Sequence, residues 1–145
     1  MDFISKKFGE LSATEVYEII KSRAEIFLLE QAIVCQDLDD ADYDSLHCFF
    51  WDGKRAQAYL RAFECASESG VVMIGRVLTL KHKSGMGSEL MKKSVDEIKN
   101  HFACDKIRVH AQKQAVGFYE KMGFRIVSGE FLEEGVAHVT MEMYL

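Results

Sequence analysis

The polar and apolar positions from Ser12 to Phe27 follow a helical period. Ser12 can cap a helix with its hydroxyl, and Glu15 stands three residues later. This S-x-x-E spacing is a capping box, in which the two side chains satisfy free N–H groups at the start of a helix. The apolar residues behind it fall on one helical face: Val16, Ile19, Ile20 and Phe27. We therefore predict a helix over residues 13 to about 27.

Most of the remaining apolar runs have the β-branched and aromatic composition of strands. DFISKKF precedes the helix, and LHCFFWD, RAQAYLRAFECA and VVMIGRVLTL follow it. Asp52-Gly53 is a hairpin signal between the first two runs that follow the helix. In the last third of the chain KIRVHAQ, RIVSGEFLE and AHVTMEMYL predict three more strands.

Two more helices are predicted in the second half. An apolar stripe starts a few residues after Gly87 and recurs at spacings of four, three and four: Met91, Val95, Ile98 and Phe102. QAVGFYEKMGF predicts a short helix that ends at Gly123. The order of elements predicts an α/β fold, with one central mixed sheet and helices on its faces. Because there is no linker or repeat, we expect a single domain over residues 1–145.

Charge and composition exclude several classes of protein. The 145 residues are 48% hydrophobic and carry a formal net charge of -5, which argues against binding nucleic acid, since that needs a basic face. No apolar run approaches the roughly 20 residues of a membrane span, and MDFISKKFGEL has no signal-peptide core. No cysteines form a CxxC pair. We expect a cytoplasmic protein with free thiols, no membrane and no nucleic-acid partner.

An acidic run, QDLDDADYDS, lies between the first helix and the second strand. Counted from Asp37, an EF-hand would need glycine at the sixth position and glutamate at the twelfth, where Asp42 and Cys48 stand. We therefore expect no metal, and a solvated loop that borders the substrate pocket. Its negative potential would favour a cationic acceptor.

The segment IGRVLTLKHKSGMGSELM leads from a strand through two glycines into an amphipathic helix. The first N–H groups of a helix are unpaired and lie at the positive end of its dipole, so this loop can bind a pyrophosphate. The Walker A pattern is absent, and the late position of the loop disfavours a Rossmann fold. A plain strand-to-helix turn is the alternative reading of these glycines.

Together with QKQAVGFYEKMGF, this loop resembles the coenzyme A-binding core of the GNAT superfamily of N-acetyltransferases. The first segment is similar to the family's Q/R-x-x-G-x-G/A loop, and the second to its N-x-x-A-x-x-F-Y-x-x-x-G-F segment. Further fragments, including AYLRAF, HAQ and GEFLEEGVAHVTM, are similar in order to the ElaA-type branch over nearly the whole chain. The resemblance implies a twisted, mostly antiparallel sheet that splays between strands 4 and 5, with helices on both faces.

The same resemblance implies acetyl-coenzyme A as the co-substrate. Main-chain groups of the splayed strand would pair with its pantetheine arm, and the glycine loop would hold its pyrophosphate. The implied cofactor-binding residues are Val77, Leu78, Thr79, His82, Lys83, Ser84, Gly85, Met86, Gly87, Ser88, Gln112, Phe118 and Tyr119. His82 stands where the family usually has arginine or glutamine, and Lys83 where it often has glycine. These departures bear on the affinity for coenzyme A.

Tyr119 is the implied general acid, because a phenol stays protonated at neutral pH and can donate to a departing thiolate. The Leu78 N–H is a candidate donor to the thioester oxygen. For the general base we place Glu30 first, and the titratable imidazoles of His47, His110 and His138 remain open. The implied substrate contacts are Glu30, Gln31, His47, Arg61 and His138.

The implied function is transfer of an acetyl group from acetyl-coenzyme A to a primary amine by direct attack in a ternary complex. An acyl-cysteine intermediate is the less favoured route, since no cysteine lies in either motif. The acceptor would be a small-molecule or peptide amine, and the protein a monomer or homodimer. The alternative function is a non-catalytic module that senses acyl-coenzyme A.

Overall fold

The computed structural model describes residues 1–145 as eight strands, three α-helices and short helical turns. The strands are β1 Asp2–Lys7, β2 Leu46–Trp51, β3 Ala56–Glu64, β4 Val71–Thr79, β5 Lys106–Gln112, β6 Arg125–Ile126, β7 Phe131–Glu133 and β8 Val136–Tyr144. The helices are α1 Ala13–Arg23, α2 Met86–His101 and α3 Val116–Lys121. RIVSGEFLE, predicted as one strand, is two strands because the backbone leaves the sheet at residues 127–130.

The predicted capping box starts α1. The Glu15 N–H donates to the Ser12 hydroxyl at 3.0 Å, and the Ser12 N–H donates to the Glu15 carboxylate at 2.8 Å. After Arg23 the chain continues as a π-helical segment over Ala24–Glu30. The helical region is therefore three residues longer than the sequence predicts. π-Helical turns are rare and frequently lie at functional sites.

The sheet has the order β1-β2-β3-β4-β5-β8-β6, and β7 pairs with β8. All its pairs are antiparallel except β4 with β5, which is parallel. That pairing joins only Val71–Ile74 to Lys106–Val109. Beyond it β4 and β5 run on unpaired with each other, so the predicted splay between strands 4 and 5 is confirmed.

Helices cover both faces of the sheet, as predicted. The apolar stripe of α2 packs on one face, where Leu90, Met91 and Ile98 are buried against β2, β3 and β4. The first helical region covers the other face through Ile19 and Ile26, which pack in a cluster with Phe49 and Tyr59. No helix is both long and apolar enough to cross a lipid bilayer.

Candidate active site between strands β4 and β5

A cavity of about 620 Å³ opens where β4 and β5 separate. Neither strand can hydrogen-bond the other there, so main-chain groups of both face the gap. From β4 and β5 its lining includes Gly75, Arg76, Val77, Val109, His110 and Gln112. β3, the π-helical segment, the acidic loop, α3 and the β7–β8 hairpin contribute further walls.

β4 carries a bulge at the point where it leaves β5. Tyr59 of β3 lies opposite Leu78, but Arg61 lies opposite Gly75, so β4 has one extra residue. Arg76 is in the bulge and adopts a left-handed φ of +54°, which is uncommon for a residue with a side chain. Bulges of this kind re-aim neighbouring groups and are over-represented next to active sites.

The register also decides which β4 amides face the cavity. The Leu80 N–H donates to the Gln57 carbonyl at 2.9 Å, and hydrogen-bonded pairs alternate along an antiparallel ladder. Leu78 is therefore bonded to Tyr59, whereas the N–H groups of Val77 and Thr79 point away from β3 and toward the gap. The Leu78 N–H, a sequence-predicted donor to the thioester oxygen, points the wrong way for that role.

The glycine loop ends in an open helix N-terminus. Gly85 is the N-cap of α2 with φ +79°, and a side chain there would meet nothing within 4 Å. Ser84 shapes the turn, since its hydroxyl donates to the Lys81 carbonyl at 3.0 Å and accepts from the Met86 N–H at 3.3 Å. The next N–H groups, of Gly87 and Ser88, precede the first full turn and remain available to an anion.

Gly87 has a different function from Gly85. A Cβ at position 87 would lie 3.4 Å from the Phe118 ring and 3.5 Å from Thr79 Cγ2. The start of α2 thus packs closely on the end of β4 and on α3. This contact brings the glycine loop close to Phe118 and Tyr119 of α3.

The two departures from the family loop have distinct structures. Lys83 has a left-handed φ of +55°, the conformation that glycine adopts without steric cost. His82 Nε2 lies 2.6 Å from Glu30 Oε1, and both side chains are about half exposed. Glu30 is thus at the glycine loop and is not part of the cavity lining.

Tyr119 lies in the cavity lining and is only 6% exposed. Its ring packs edge-on against Phe118 and Phe124, with centroids 5.2 and 5.5 Å away. Burial raises the pKa of the Tyr119 phenol well above its usual range, so the hydroxyl is protonated at neutral pH. Near it, Gln112 Nε2 donates to Gln31 Oε1 at 3.0 Å, which joins β5 to the end of the π-helical segment.

The acidic loop borders the cavity as predicted, but three of its aspartates are held by arginines. Arg23 contacts Asp37 at 2.9 Å and Asp42 at 2.7 Å. Arg61 binds both Asp39 oxygens at 2.6 and 2.7 Å, and Arg76 of the bulge lies 2.8 Å from Asp37. The Arg61 hydrogen bond lowers the pKa of Asp39 to about 2.

These ion pairs correct the expectation of a solvated, strongly negative loop. Three guanidinium charges balance the three carboxylates, and Asp42 is buried. These three carboxylates therefore contribute little net charge to the cavity, and the two aspartates of the loop without an arginine partner, Asp40 and Asp44, are exposed and lie outside the cavity lining. Arg61 lines the cavity, but it is 3% exposed and its charge is already matched by Asp39 and Asp42.

The structure separates the three histidines that the sequence left open. His47 is 2% exposed and does not line the cavity; its Nδ1 lies 2.7 Å from the Tyr59 hydroxyl and its Nε2 2.9 Å from the Asp42 carbonyl. Its predicted contact with substrate is therefore incompatible with this geometry. His110 and His138 both line the cavity.

Between these two histidines lies Glu133, which the sequence analysis did not identify. His110 Nδ1 is 2.9 Å from Glu133 Oε1, and His138 Nε2 is 3.6 Å from Glu133 Oε2. Phe131 packs against both imidazoles, edge-on at 5.3 Å from His110 and stacked at 6.0 Å from His138. The strand alternation of HAQ and AHVT could have placed the two histidines on one sheet face, but it carries no information on Glu133.

Comparisons with known proteins agree with this geometry. Residues 40–145 match the family model described as an acetyltransferase (GNAT) domain. The protein ElaA of Escherichia coli is 29% identical over 137 residues, which cover 92% of this chain and 90% of that protein. A UPF0039 protein of Schizosaccharomyces pombe is 30% identical over an alignment of 149 residues, which covers 100% of this chain and 98% of that protein.

A solved structure extends the likeness to three dimensions. The crystal structure of an acyl-CoA N-acyltransferase from Pseudomonas aeruginosa superposes with a TM-score of 0.90 at 28% identity. The match covers 99% of each chain, so the likeness extends over the whole fold.

Proposed function

Since this chain belongs to the GNAT acetyltransferase family, in its ElaA-like branch, we propose that it transfers an acetyl group from acetyl-coenzyme A to a primary amine. The observation that carries the proposal is the adjacency of three features. The open N-terminus of α2 packs on the end of β4 and on α3 through Gly87, and the part of β4 that is unpaired with β5 lines the same cavity as Tyr119.

Two features of the chain fit acyl-coenzyme A as the co-substrate. The loop from His82 to Ser88 offers free amides beside open space at Gly85, as a pyrophosphate requires. The Val77 and Thr79 amides face the gap where β4 and β5 are unpaired, and an extended pantetheine arm would add to β4 there as a strand does. Gln112 and Phe118 flank this path. When bound, the thioester supplies the acyl group for transfer.

Tyr119 is the proposed general acid. Its hydroxyl makes no hydrogen bond within the protein and is available to a departing thiolate. Because burial raises the pKa of this phenol, it carries its proton at the pH where the reaction runs. The Val77 N–H, on the side of β4 that faces the gap, is the proposed donor to the thioester oxygen.

Direct attack by the amine in a ternary complex is the proposed route. Cys35 is the cysteine that lines the cavity, and it would have to be a thiolate to carry an acyl group. Burial and the nearby Glu134 charge raise the pKa of Cys35. The thiol form therefore dominates at neutral pH, which disfavours an acyl-cysteine intermediate.

We assign Glu30 a positioning role in this proposal. Its carboxylate holds His82 of the glycine loop at 2.6 Å and lies outside the cavity lining. Gln31, by contrast, lines the cavity and is hydrogen-bonded to Gln112. Gln31 and His138 are the proposed acceptor contacts, and Arg61 acts through its hold on Asp39.

A binding and turnover experiment tests the proposal. At about 100 times its dissociation constant, acetyl-coenzyme A should stabilise the fold by about 2.7 kcal/mol and raise the melting temperature by about 5–10 °C. Coenzyme A should act alike and ATP should not. Amine-dependent thiol release is then expected across a panel of primary amines. Stabilisation without any thiol release would instead identify a non-catalytic acyl-coenzyme A sensor, and no stabilisation would overturn the assignment of the loop.

A further inference from the structure

The cluster formed by His110, Glu133 and His138 has a defined arrangement of protons. The His110 hydrogen bond, ahead of the opposing effect of burial, lowers the pKa of Glu133, so this carboxylate is ionised at neutral pH. A carboxylate can only accept hydrogen bonds. His110 Nδ1 at 2.9 Å from it must therefore carry a proton, which leaves the lone pair of the neutral ring on Nε2.

The ring nitrogens of His138 have different partners from those of His110. Its Nδ1 lies 2.7 Å from the Val136 carbonyl, which again can only accept, so Nδ1 donates there. Its Nε2 faces Glu133 at 3.6 Å, and the side chain is 8% exposed. Both ring nitrogens of His138 thus face protein acceptors, whereas Nε2 of His110 has no partner in the protein.

His110 also lies at a boundary between two recesses. It lines the cavity between β4 and β5, and it lines an open groove of about 430 Å³ on the outer side of β5 and β8. Its side chain is 38% exposed. A proton taken up by this imidazole has a direct route to solvent without crossing the apolar core.

We propose that His110 is the general base, which takes a proton from the acceptor ammonium through Nε2 and passes it to the outer groove. Glu133 is the positioning residue that fixes the tautomer of His110 and stabilises its imidazolium form. This inference rests on the proposed amine acetylation, and it names the group that makes the acceptor nucleophilic. A carboxylate behind an imidazole is a recurring way to build such a base.

The proton balance of the step is complete. The ammonium loses one proton to His110 and becomes a neutral amine, whose nitrogen forms the C–N bond as the C–S bond breaks. After the C–N bond forms, the attacking nitrogen loses a second proton. Tyr119 gives one proton to the departing sulfur, so these two transfers cancel in the overall count. The products are an amide, the free thiol and the proton released through His110.

The charged groups around His110 leave Glu133 as the dominant partner. His138 of β8 faces the same carboxylate, and the positive charge of Arg76 of β4 acts on that carboxylate across the cavity.

In the outer groove Arg108 is paired with Glu142 at 2.6 Å and with Glu68 at 3.0 Å. Lys106 lies 3.2 Å from Glu68 and 3.5 Å from Glu142. Those groove charges balance each other, so loss of the Glu133 charge is the change that His110 experiences most.

The first test needs no substrate. Nitrogen-15 NMR of the imidazole rings in the ligand-free protein reports which ring nitrogen of each histidine carries the proton. His110 should show the Nδ1–H form, and Glu133→Ala removes the acceptor that selects this form, so the His110 nitrogen signals should shift toward a mixture of the two tautomers. His101, exposed on α2, is the internal reference and should not change. Glu134→Ala is the matched variant one residue along and should leave the His110 tautomer unchanged.

The second test is kinetic. His110→Gln should lower kcat at saturating acetyl-coenzyme A by about 100-fold, abolish the acid limb of the pH–rate profile and leave the coenzyme A-induced melting shift intact. His101→Gln is the matched control. Glu133→Gln should move the acid limb toward lower pH.

An unchanged His110 tautomer in Glu133→Ala, or a kcat within threefold of wild type in His110→Gln, would overturn the inference while leaving amine acetylation intact. If the wild-type protein releases no thiol with any amine, the proposed function fails and the assignment of His110 as its base fails with it.

Discussion

His82 Nε2 and Glu30 Oε1, 52 positions apart in the chain, lie 2.6 Å from each other and join the glycine loop to the end of the π-helical segment. Both side chains are about half exposed, and exposed pairs contribute less than about 1 kcal/mol. Glu30→Gln should therefore change the dissociation constant for coenzyme A by less than about fivefold, and kcat at saturating acetyl-coenzyme A should stay near wild type.

Calorimetric titration and thiol-release kinetics check this prediction. His82→Gln is the matched variant and should give a change of the same size, with no further change in the double variant. A fall of about 100-fold in kcat for Glu30→Gln alone would show that Glu30 is the general base, as the sequence suggests.

Removal of the Tyr119 hydroxyl should separate catalysis from folding. The hydroxyl has no partner within the protein, so Tyr119→Phe should change the free energy of unfolding by less than about 0.5 kcal/mol. It should lower kcat by about 100-fold, the usual contribution of a positioned acid. Tyr17→Phe, on the exposed side of α1, should change neither quantity.

The pH dependence gives a second check on Tyr119. Because burial raises the pKa of this phenol, the wild-type rate should show no basic limb from Tyr119 below pH of about 10. A basic limb that is present in the wild type and absent in Tyr119→Phe would contradict the assignment of its ionisation.

The buried ion pairs of the acidic loop should dominate its stability. Asp42 contacts Arg23 at 2.7 Å and Arg61 at 3.1 Å, and both guanidinium groups are almost fully buried. Asp42→Asn removes the charge that they share, so unfolding by urea at pH 7 should become easier by about 3 kcal/mol. Asp44→Asn, an exposed change in the same loop, should cost less than about 0.5 kcal/mol.

Acid should erase the difference between wild type and Asp42→Asn. Burial alone would raise the pKa of Asp42, but the contacts with Arg23 and Arg61 together outweigh it and lower the pKa from 3.8. The contribution of Asp42 is therefore complete above pH of about 4 and is lost as the pH falls through the lower folded value. Urea unfolding at pH 7, 4 and 2.5 measures this convergence. A constant gap between the two proteins over that range would mean that the lost contacts, and not the charge, set the cost.

Backbone strain at Lys83 predicts a stabilising substitution. Its φ of +55° costs a residue with a side chain about 1–2 kcal/mol, while glycine loses more entropy on folding, by about 0.5–1 kcal/mol. Lys83→Gly should therefore stabilise the fold by a few tenths of a kcal/mol to about 1 kcal/mol. Lys81→Gly, at a position without a positive φ, should destabilise it, and equal effects of the two variants in urea unfolding would contradict the role of strain.

Local signals in the sequence were sufficient for much of the fold. Ser12 and Glu15 fix the start of α1, the stripe through Met91 and Ile98 directs α2 to the sheet, and Gly123, with φ +101°, ends α3 as predicted. The splay between β4 and β5 came from the family resemblance, and the strand pairing confirms it. Each of these features depends on residues close together in the chain or on a motif.

The polar interior of the site depends on contacts between distant residues. Arg76 contacts Asp37, which lies 39 positions away in the chain, and His110 contacts Glu133, which lies 23 positions away. A composition rich in aspartate is typical of a solvated loop, and only the folded backbone brings three arginines to it. The direction of the Leu78 amide depends on a one-residue bulge, which no local pattern marks.

The bulge at Arg76 also limits how the protein could be re-engineered. Its guanidinium is held by Asp37. This ion pair ties β4, which would present the thioester, to the acidic loop that borders the acceptor pocket, so a change in the loop also affects the strand. Grafting residues 36–45 from a relative to change acceptor preference would leave the buried Arg23 and Arg61, and the partly buried Arg76, without counter-ions unless the graft keeps all three aspartates. Productive libraries should therefore hold Asp37, Asp39 and Asp42 constant and vary the exposed positions between them.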